Sequence, residues 1–423
     1  MIGVIADDTT GANDIGIMFR KNGYAVKILT FEEDMVPENN CDVLIIDTDS
    51  RLDPLELSRF KVYKSAEILK KAGCEIFHKK TCSVFRGNIG VELDAMMDAL
   101  KKDFAIISLA FPKNGRTTVH GIHRVNGELL ENSNFAKDPV HPMTSSDLVS
   151  ILSEETNKKV CSIDIEVVRM GAEKLREAIE KVRKNCNYCI IDSETQEDLK
   201  IVAEASVGYE CLGGSSAIGE ELPKFLENKK SQNPVYKLDC DDNNGVLVVS
   251  GSLTPQTRAQ TAHLKEIGVP TLVLDSRKVF SEDLYEKEKI KIVEKGTALL
   301  KEGNDILIMA DNDNVIIAET KKRGKALNID ELKISKMVSA LLADIAETIT
   351  KNINLKRLVV AGGDTSGTIC RKLGIKGNYV LKEIETGLPS GLAIGREMLI
   401  VLKSGSFGKK EFLETSINHL KSL

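Results

Sequence analysis

The chain has 423 residues, a length that exceeds one ordinary core and predicts two domains of roughly 200 residues each. A formal net charge of only -5, with no long Lys/Arg stripe interleaved with aromatics, argues against nucleic acid as a partner. No stretch approaches the roughly 18 apolar residues of a membrane span, and the first residues enter a strand without a basic n-region, so a soluble cytoplasmic protein is expected.

Ile2 to Ala6 is short, apolar and partly β-branched, as a buried strand requires, and the polar Asp7-Asp8-Thr9-Thr10-Gly11 that follows has the chemistry of a turn and a helix start. Ligands of open α/β sheets bind outside the carboxyl ends of strands, so these adjacent carboxylates face such a crevice. On one reading an Asp merely caps the following helix. On the other, at least one of Asp7 and Asp8 grips substrate hydroxyls or takes a proton.

Strand-like and helical patterns then alternate, which predicts an α/β fold with mostly parallel pairing. Ala25 to Leu29 and Val43 to Ile46 read as strands, the second ending in Asp47-Thr48-Asp49-Ser50-Arg51. Pro54 to Lys71 is helical by period, and Glu75 to His78 is a short strand. Val91 to Lys101 is a helix with Leu93, Met96, Met97 and Leu100 on its core face. Ala105 to Ala110 is another strand, leading into Phe111-Pro112-Lys113-Asn114-Gly115-Arg116-Thr117. His120 to Met143 reads as a long ordered loop or hairpin, a feature that in enzymes usually covers a site. A helix near Ala172 to Arg183, a strand near Tyr188 to Ile191 and a helix near Glu194 to Ala205 follow, and a polar stretch from Glu227 to Asn244 places the domain boundary near residue 235.

The second half carries three strand-loop-helix units with loops rich in Gly, Ser and Thr. Gly245 to Ser250 leads to a helix near Pro255, Leu358 to Val360 to a helix near Ser366, and Leu399 to Leu402 to the C-terminal helix. Lys287 to Lys301 and Ile329 to Lys351 read as long amphipathic helices, the latter packing Leu332, Val338, Leu341, Leu342 and Ile345 inward. The predicted fold class is therefore α/β: two domains, each a layered α/β sheet with mostly parallel strands, with the ligand cleft between them.

Gly362-Gly363-Asp364-Thr365-Ser366-Gly367 is a candidate phosphate cradle, because glycine lets the backbone approach a ligand and free amides at a helix N-terminus attract anions. The alternative is a glycine turn capped by Asp364 or Thr365. Lys403-Ser404-Gly405-Ser406-Phe407-Gly408 and Gly251-Ser252-Leu253-Thr254 offer similar chemistry, and all three loops should lie along one sheet edge. There is no GxxxxGK[ST], nor a GxGxxG after a strand, so neither a Walker-type NTPase nor the usual dinucleotide fold is indicated.

In the first half, Arg51, Lys79, Lys80, Arg86 and Arg116 all fall in turn-rich polar clusters beside predicted strands. Such cations suit recognition of a carboxylate or phosphate, or else they pair with Asp7, Asp8, Asp47 and Asp49 in a structural network. The nine cysteines are scattered as buried thiols of a reducing compartment. Cys186 and Cys189 form a lone CxxC, better read as a strand-edge thiol than as a zinc or redox pair, and Cys82 lies beside positive charge that would lower its pKa. His120, His123 and His141 match no zinc spacing.

IADDTTGAND, DTDSR, KKTCS with the following RGNIG and E, FPKNGRTT, DPVHPM, GSLTPQT, AGGDTSG and LKSGSFG stand in the order seen in the four-carbon acid sugar kinases, also called the DUF1537 family, and nearly the whole chain resembles it. The resemblance implies an N-terminal domain for the sugar acid, a C-terminal domain for ATP, and transfer to the terminal hydroxyl of threonate, erythronate or a 3-oxo-tetronate. It implies substrate contacts from Asp8, Arg51 and Lys80-Thr81-Cys82-Ser83, and ATP contacts from Ser252, Gly362, Gly363, Asp364, Thr365 and Gly405. Some family members carry Asp-Ser-Thr and others Cys-Ser-Thr where this chain has Cys82-Ser83-Val84, a departure that leaves the substrate open. For the chemistry we expect Asp8, then Asp7, to orient or deprotonate the hydroxyl, Arg51 with Lys80 or Arg86 to hold the acid carboxylate, Mg²⁺ to accompany ATP, and domain closure to exclude water. A homo-oligomer is compatible with the sequence. The other readings are a dinucleotide-dependent oxidoreductase and a non-catalytic sensor of sugar acid and nucleotide.

Overall fold

Apolar runs of four or five residues between amphipathic stretches place buried strands among covering helices, and the chain adopts that alternation. A computed structural model describes residues 1–38, 40–138, 140–226 and 243–423. Contacts divide the chain into two units, Met1–Pro234 and Val235–Leu423. The boundary expected near residue 235 lies outside the described residues. Among the described residues no helix is long and apolar enough to cross a membrane.

The first unit opens with β1 (Ile2–Ala6), α1 (Thr9–Lys21), β2 (Val26–Thr30), β3 (Val43–Asp47), α2 (Leu55–Lys71), β4 (Ile76–Lys80), α3 (Ile89–Leu100) and β5 (Ala105–Ser108). It continues with β6 (Arg116–Val119), β7 (Ile122–Val125), β8 (Glu128–Leu129), α4 (Leu148–Glu155), β9 (Val160–Ile163), α5 (Ile165–Val168), α6 (Ala172–Arg183), β10 (Tyr188–Ile191), α7 (Gln196–Ala205), β11 (Cys211–Gly214) and α8 (Ile218–Glu221). Its sheet runs β2-β3-β1-β4-β11-β5-β10-β9, with every pairing parallel. Ala6 pairs with Asp47 on one side and Lys80 on the other, Lys80 with Gly214, and Gly214 with Ser108. The carboxyl ends of five strands thus lie side by side. β6, β7 and β8 form a separate antiparallel meander, the hairpin reading of the segment after His120.

The second unit contains β12 (Leu247–Ser250), α9 (Pro255–Glu266), β13 (Thr271–Leu274), α10 (Glu282–Lys301), β14 (Ile306–Ala310), α11 (Asn314–Ala326), α12 (Glu331–Ile353), β15 (Arg357–Ala361), α13 (Gly363–Lys372), β16 (Gly377–Glu385), β17 (Leu388–Ile394), β18 (Leu399–Lys403) and α14 (Phe412–Ser422). Strands β13-β14-β12-β15-β18 are parallel, and β17 and β16 follow antiparallel. Successive strand residues point to opposite faces. Leu247, Val249, Ile308 and Val360 therefore join Ile292 of α10 and Ile345 of α12, while Val248, Leu307, Val359 and Val401 join Leu264 of α9 and Phe412 of α14. β12, β15 and β18 are neighbours, with Ser250, Ala361 and Lys403 in register, so the three Gly/Ser/Thr loops do emerge along one edge.

One expectation needs correction. Lys79 and Lys80 belong to β4, and Arg116 opens β6, instead of lying in turns. β4 is a central strand, and both lysines are buried, at 0% and 3% exposure, because their charged ends find partners inside. The helix expected near Ser366 is α13, which begins at Gly363.

Gly214 takes a φ of 121°, and a Cβ there would overlap the Ser108 carbonyl of β5. Gly214→Ala is expected to cost about 2 kcal/mol or more in urea unfolding, with the m-value unchanged.

Candidate active site

The first unit gathers its charged residues where β1, β3 and β4 end. Asp8 caps α1, its Oδ1 accepting from Gly11 N at 2.6 Å, so the capping reading holds for one of the two carboxylates. Asp8 has a second partner as well: Arg51 Nη1 donates to its Oδ2 at 2.5 Å. The same guanidinium grips Asp7 through both ends, Nε to Oδ2 at 2.8 Å and Nη2 to Oδ1 at 2.9 Å. The backbone NH groups of Ser50 and Arg51 donate to Asp7 O, which pins the DTDSR turn over β1. Planar bidentate pairing of this kind is what arginine provides and lysine cannot. Burial alone would raise the Asp7 pKa, but Arg51, Lys79 and Lys80 outweigh it and hold Asp7 well below the ordinary carboxylate range. Asp7 is 1% exposed and Asp8 15%, so Asp8 is the carboxylate that faces outward.

Lys80 Nζ donates to Thr81 O at 2.8 Å and lies close to Gly11, where a Cβ would meet it at 3.1 Å. It makes no ion pair with a carboxylate among the described residues. Lys79, by contrast, is sealed in a buried pair with Glu92 at 2.8 Å, and Ser50 and Ser58 donate to the other oxygen of Glu92. Lys79 is structural.

The chain after β4 wraps over the Arg51 pair. Gly87, at φ 125°, passes so close that a Cβ would reach Arg51 Cγ at 3.0 Å. Thr81 is buried with its hydroxyl on Cys82 O, Cys82 is buried, and Ser83 is half-buried. For the Cys82 thiol, burial acts upward, yet Arg51 and Arg86 prevail and lower its pKa, so the cations responsible are these arginines and not the adjacent lysines. Arg86 donates to Asp138 at 2.6 Å and stacks over Phe135, while His141 Nε2 meets Arg51 O at 3.2 Å, so the DPVHPM segment backs the same cluster. His123 is buried against Thr118, and His120 pairs with exposed Glu166. The three histidines do not converge. Cys189 is a buried β10 residue in register with Cys161 of β9, as a strand thiol.

Two buried acids complete the cluster. Asp47, at the end of β3, accepts from Thr9 Oγ1 at 2.5 Å, and burial together with Asp49 raises its pKa. Asp14, on the second turn of α1, takes a 2.5 Å bond from Ser216, leaving Oδ1 buried without a partner. Burial pushes the Asp14 carboxyl up to about 6 against the opposing pull of Lys80 and Ser216.

In the second unit, the three loops converge on one another. Thr254 and Thr257 both donate to Gly405 O, at 2.6 and 2.9 Å. A Cβ on Gly405 would approach Ser252 Oγ to 2.5 Å, and one on Gly362 would approach Thr365 Oγ1 to 3.1 Å and Ser252 Cβ to 3.4 Å. Gly362, at φ 128°, is the N-cap of α13 and supplies no side-chain cap, so the alternative of a turn capped by Asp364 or Thr365 is not what forms. The first amides of α13 are left for an anion. Gly363 is half-buried, Thr365 buried and Asp364 exposed. Beneath the Gly405 turn, Lys403 is 0% exposed and donates to Thr257 Oγ1 at 2.8 Å and Gly405 O at 3.0 Å.

This geometry agrees with what the chain is similar to. Residues 2–222 match a family model described as a sugar-binding N-terminal domain, and residues 247–413 one described as a nucleotide-binding C-terminal domain. The chain belongs to the four-carbon acid sugar kinase family. A 3-oxo-tetronate kinase of Pseudomonas savastanoi pv. phaseolicola is 30% identical over 99% of this chain and 97% of its own. A D-threonate kinase of Salmonella typhimurium is 27% identical over 99% and 98%. A solved Salmonella typhimurium LT2 structure that carries a provisional tRNA synthase name superposes with a TM-score of 0.85 at 27% identity, covering 99% of both chains. A Haemophilus influenzae DUF1537 structure superposes at 0.74 and 26%, covering 99% of this chain and 100% of that one.

Sequence reasoning about this four-carbon acid sugar kinase missed Asp14, and it placed Lys403 in a candidate cradle loop, whereas Lys403 is the buried last residue of β18. A signal existed for each: an acid on an otherwise apolar helix face, and a lysine closing the strand LIVLK. The Asp14 shift has a measurable sign. A folded pKa of about 6 against the ordinary 3.8 gives stability that is present below pH 3.8 and lost as pH rises through 6. Asp14→Asn should remove that loss, gaining up to about 3 kcal/mol on the wild type between pH 4 and pH 8 in urea titrations.

Proposed function

We propose that the chain transfers the γ-phosphoryl group of ATP to the terminal hydroxyl of a four-carbon sugar acid, giving the 4-phosphate of threonate, erythronate or a 3-oxo-tetronate. The observation that carries this reading is the uncapped N-terminus of α13, enclosed by the Ser252 and Gly405 loops, in a chain whose other unit ends its strands in carboxylates and cations. Phosphoryl transfer asks for positioning and for relief of charge on the phosphoryl oxygens, and these two groups of residues supply both.

In the sugar-acid unit, Asp8 takes the acceptor hydroxyl. It is the more exposed of the pair and is held in place by Arg51, so it can accept the hydroxyl hydrogen bond and orient the oxygen. Asp7 has both oxygens committed to Arg51 and serves to hold that guanidinium in place. Arg51 is occupied by Asp7 and Asp8, and Arg86 donates to Asp138, so the acid carboxylate falls first to Lys80, with Arg86, Thr81, Cys82 and Ser83 lining the approach.

In the nucleotide unit, Ser252, Gly362, Gly363, Thr365 and Gly405 surround the phosphates. A Cβ at Gly405 would fill the space beside Ser252, so the loops fit a bound phosphate chain. Asp364 is the carboxylate borne by these three loops, and being exposed it suits Mg²⁺, which takes one or two carboxylates together with phosphate oxygens and would neutralise charge on the phosphoryl group.

The test is coupled ADP release with Mg-ATP against D- and L-threonate, D- and L-erythronate and the corresponding 3-oxo acids. Turnover of one acid is expected, and silence with all of them would overturn the reading. With the active acid, Asp8→Asn should lower kcat by about 10²-fold or more, whereas an unchanged kcat would remove Asp8 from its role.

A further inference from the structure

Lys403 is a buried amine that makes no ion pair with a carboxylate among the described residues. Its strand, β18, runs between β15 and β17, and its side chain is fully covered. An ammonium carries three N–H donors, and here two acceptors are in reach, Thr257 Oγ1 and Gly405 O. A neutral amine has two N–H donors, and the same two acceptors take up both. The site is thus matched to the uncharged lysine for as long as nothing anionic is near. Burial favours that form and pushes the pKa down to about 7, opposed by Glu385 at the end of β16. Glu385 itself accepts from Lys409 N at 2.9 Å. Of the charged groups on the other packed elements, Arg258 of α9 is engaged with Leu253 O and Asn312 O, His263 of α9 with Glu414 of α14, and Asp364 of α13 is exposed. Ala361 of β15 stands beside Lys403 and carries no charge.

Both acceptors of Lys403 belong to the walls of the phosphate cradle. Gly405 O is shared by Thr254, Thr257 and Lys403, and Gly405 borders Ser252. Lys403 therefore fixes the turn whose backbone faces the phosphates. An anion seated on the uncapped α13 amides would favour the charged lysine by Coulomb attraction through a low-dielectric interior.

We propose that Lys403 is a positioning residue of the cradle that takes up one proton from solvent when a nucleoside triphosphate binds, becoming the buried positive charge beneath the Gly405 turn. The balance is simple: the amine lone pair gains the proton, no other bond changes, and the proton returns to solvent on release. The inference rests on the nucleotide-binding reading of the second unit and adds to it a coupling between pH and affinity.

The experiment is calorimetric titration of the full chain with Mg-ATP, without acid acceptor, between pH 7.5 and 9 and in two buffers of different ionisation enthalpy. In this range the γ-phosphate is already ionised, so proton uptake reports on the protein. The wild type should show a binding heat that depends on the buffer, with uptake of up to one proton, and an affinity that weakens by as much as about tenfold per pH unit. Lys403→Arg keeps a permanent charge and should bind with equal heat in both buffers and a flat pH profile; Lys403→Met should bind weakly, also without uptake. A lysine that only braced the fold would alter affinity without altering proton number. Wild-type binding with no uptake, or uptake that survives in Lys403→Arg, overturns the inference while leaving the nucleotide site standing. Absence of any ATP binding by the wild type overturns both.

Discussion

The sugar-acid unit depends on one guanidinium. Two adjacent carboxylates at the end of a buried strand are unfavourable neighbours, and burial raises the cost of keeping both ionised. Arg51 answers them together, binding Asp7 through two bonds and Asp8 through one. Because Asp7 O also receives the Ser50 and Arg51 amides, the DTDSR turn and the ADD turn form one object. Much of the surrounding sequence serves it: Gly87 lets the next turn come close, Gly11 leaves space for Lys80, and His141 reaches the Arg51 carbonyl. Truncating either partner would leave a buried charge unanswered, so the cluster either forms whole or costs several kcal/mol.

The nucleotide unit solves the opposite problem. Here the fixed partial charge is positive, at the amides of α13, and the surrounding loops withhold side-chain carboxylates from it, Asp364 excepted. Glycine at 362 and 405 keeps the backbone bare, and Thr254, Thr257 and Lys403 tie the third loop down through one carbonyl. The two units thus carry different chemistry at their strand ends: carboxylates and cations in the first, bare amides in the second.

Much of this was legible in the sequence because parallel strands buried on both faces are continuous apolar runs, and β1, β3, β10, β12, β15 and β18 all have that form. The loops after them were legible for the same reason, since a polar cluster following such a run must sit at the sheet edge. Less regular elements escaped. β11 is CLGG, with two glycines and little β-propensity, and it is a strand because β4 and β5 flank it. β9 sits beside β10 with its residues mostly half-buried, and α5 and α8 are single turns too short to show a period. Lys79 and Lys80 read as turn residues because lysine is seldom buried; only the packed structure supplies Glu92 for one and the Thr81 carbonyl for the other. The competition for Arg51 was equally hidden. Sequence offered it both to a substrate carboxylate and to Asp7 and Asp8, and only the geometry displays its three bonds to the latter pair.

The claim most open to direct test is that Arg51 and Asp7 act as a unit. A double-mutant cycle of Asp7→Asn and Arg51→Met, read by urea unfolding at pH 7, measures their coupling. The account predicts that the two changes are far from additive, with an interaction of about 2 kcal/mol or more, since the second loss removes a charge already left unpaired by the first. Additivity within about 0.5 kcal/mol would contradict it and would return Arg51 to the role of a free anion receptor.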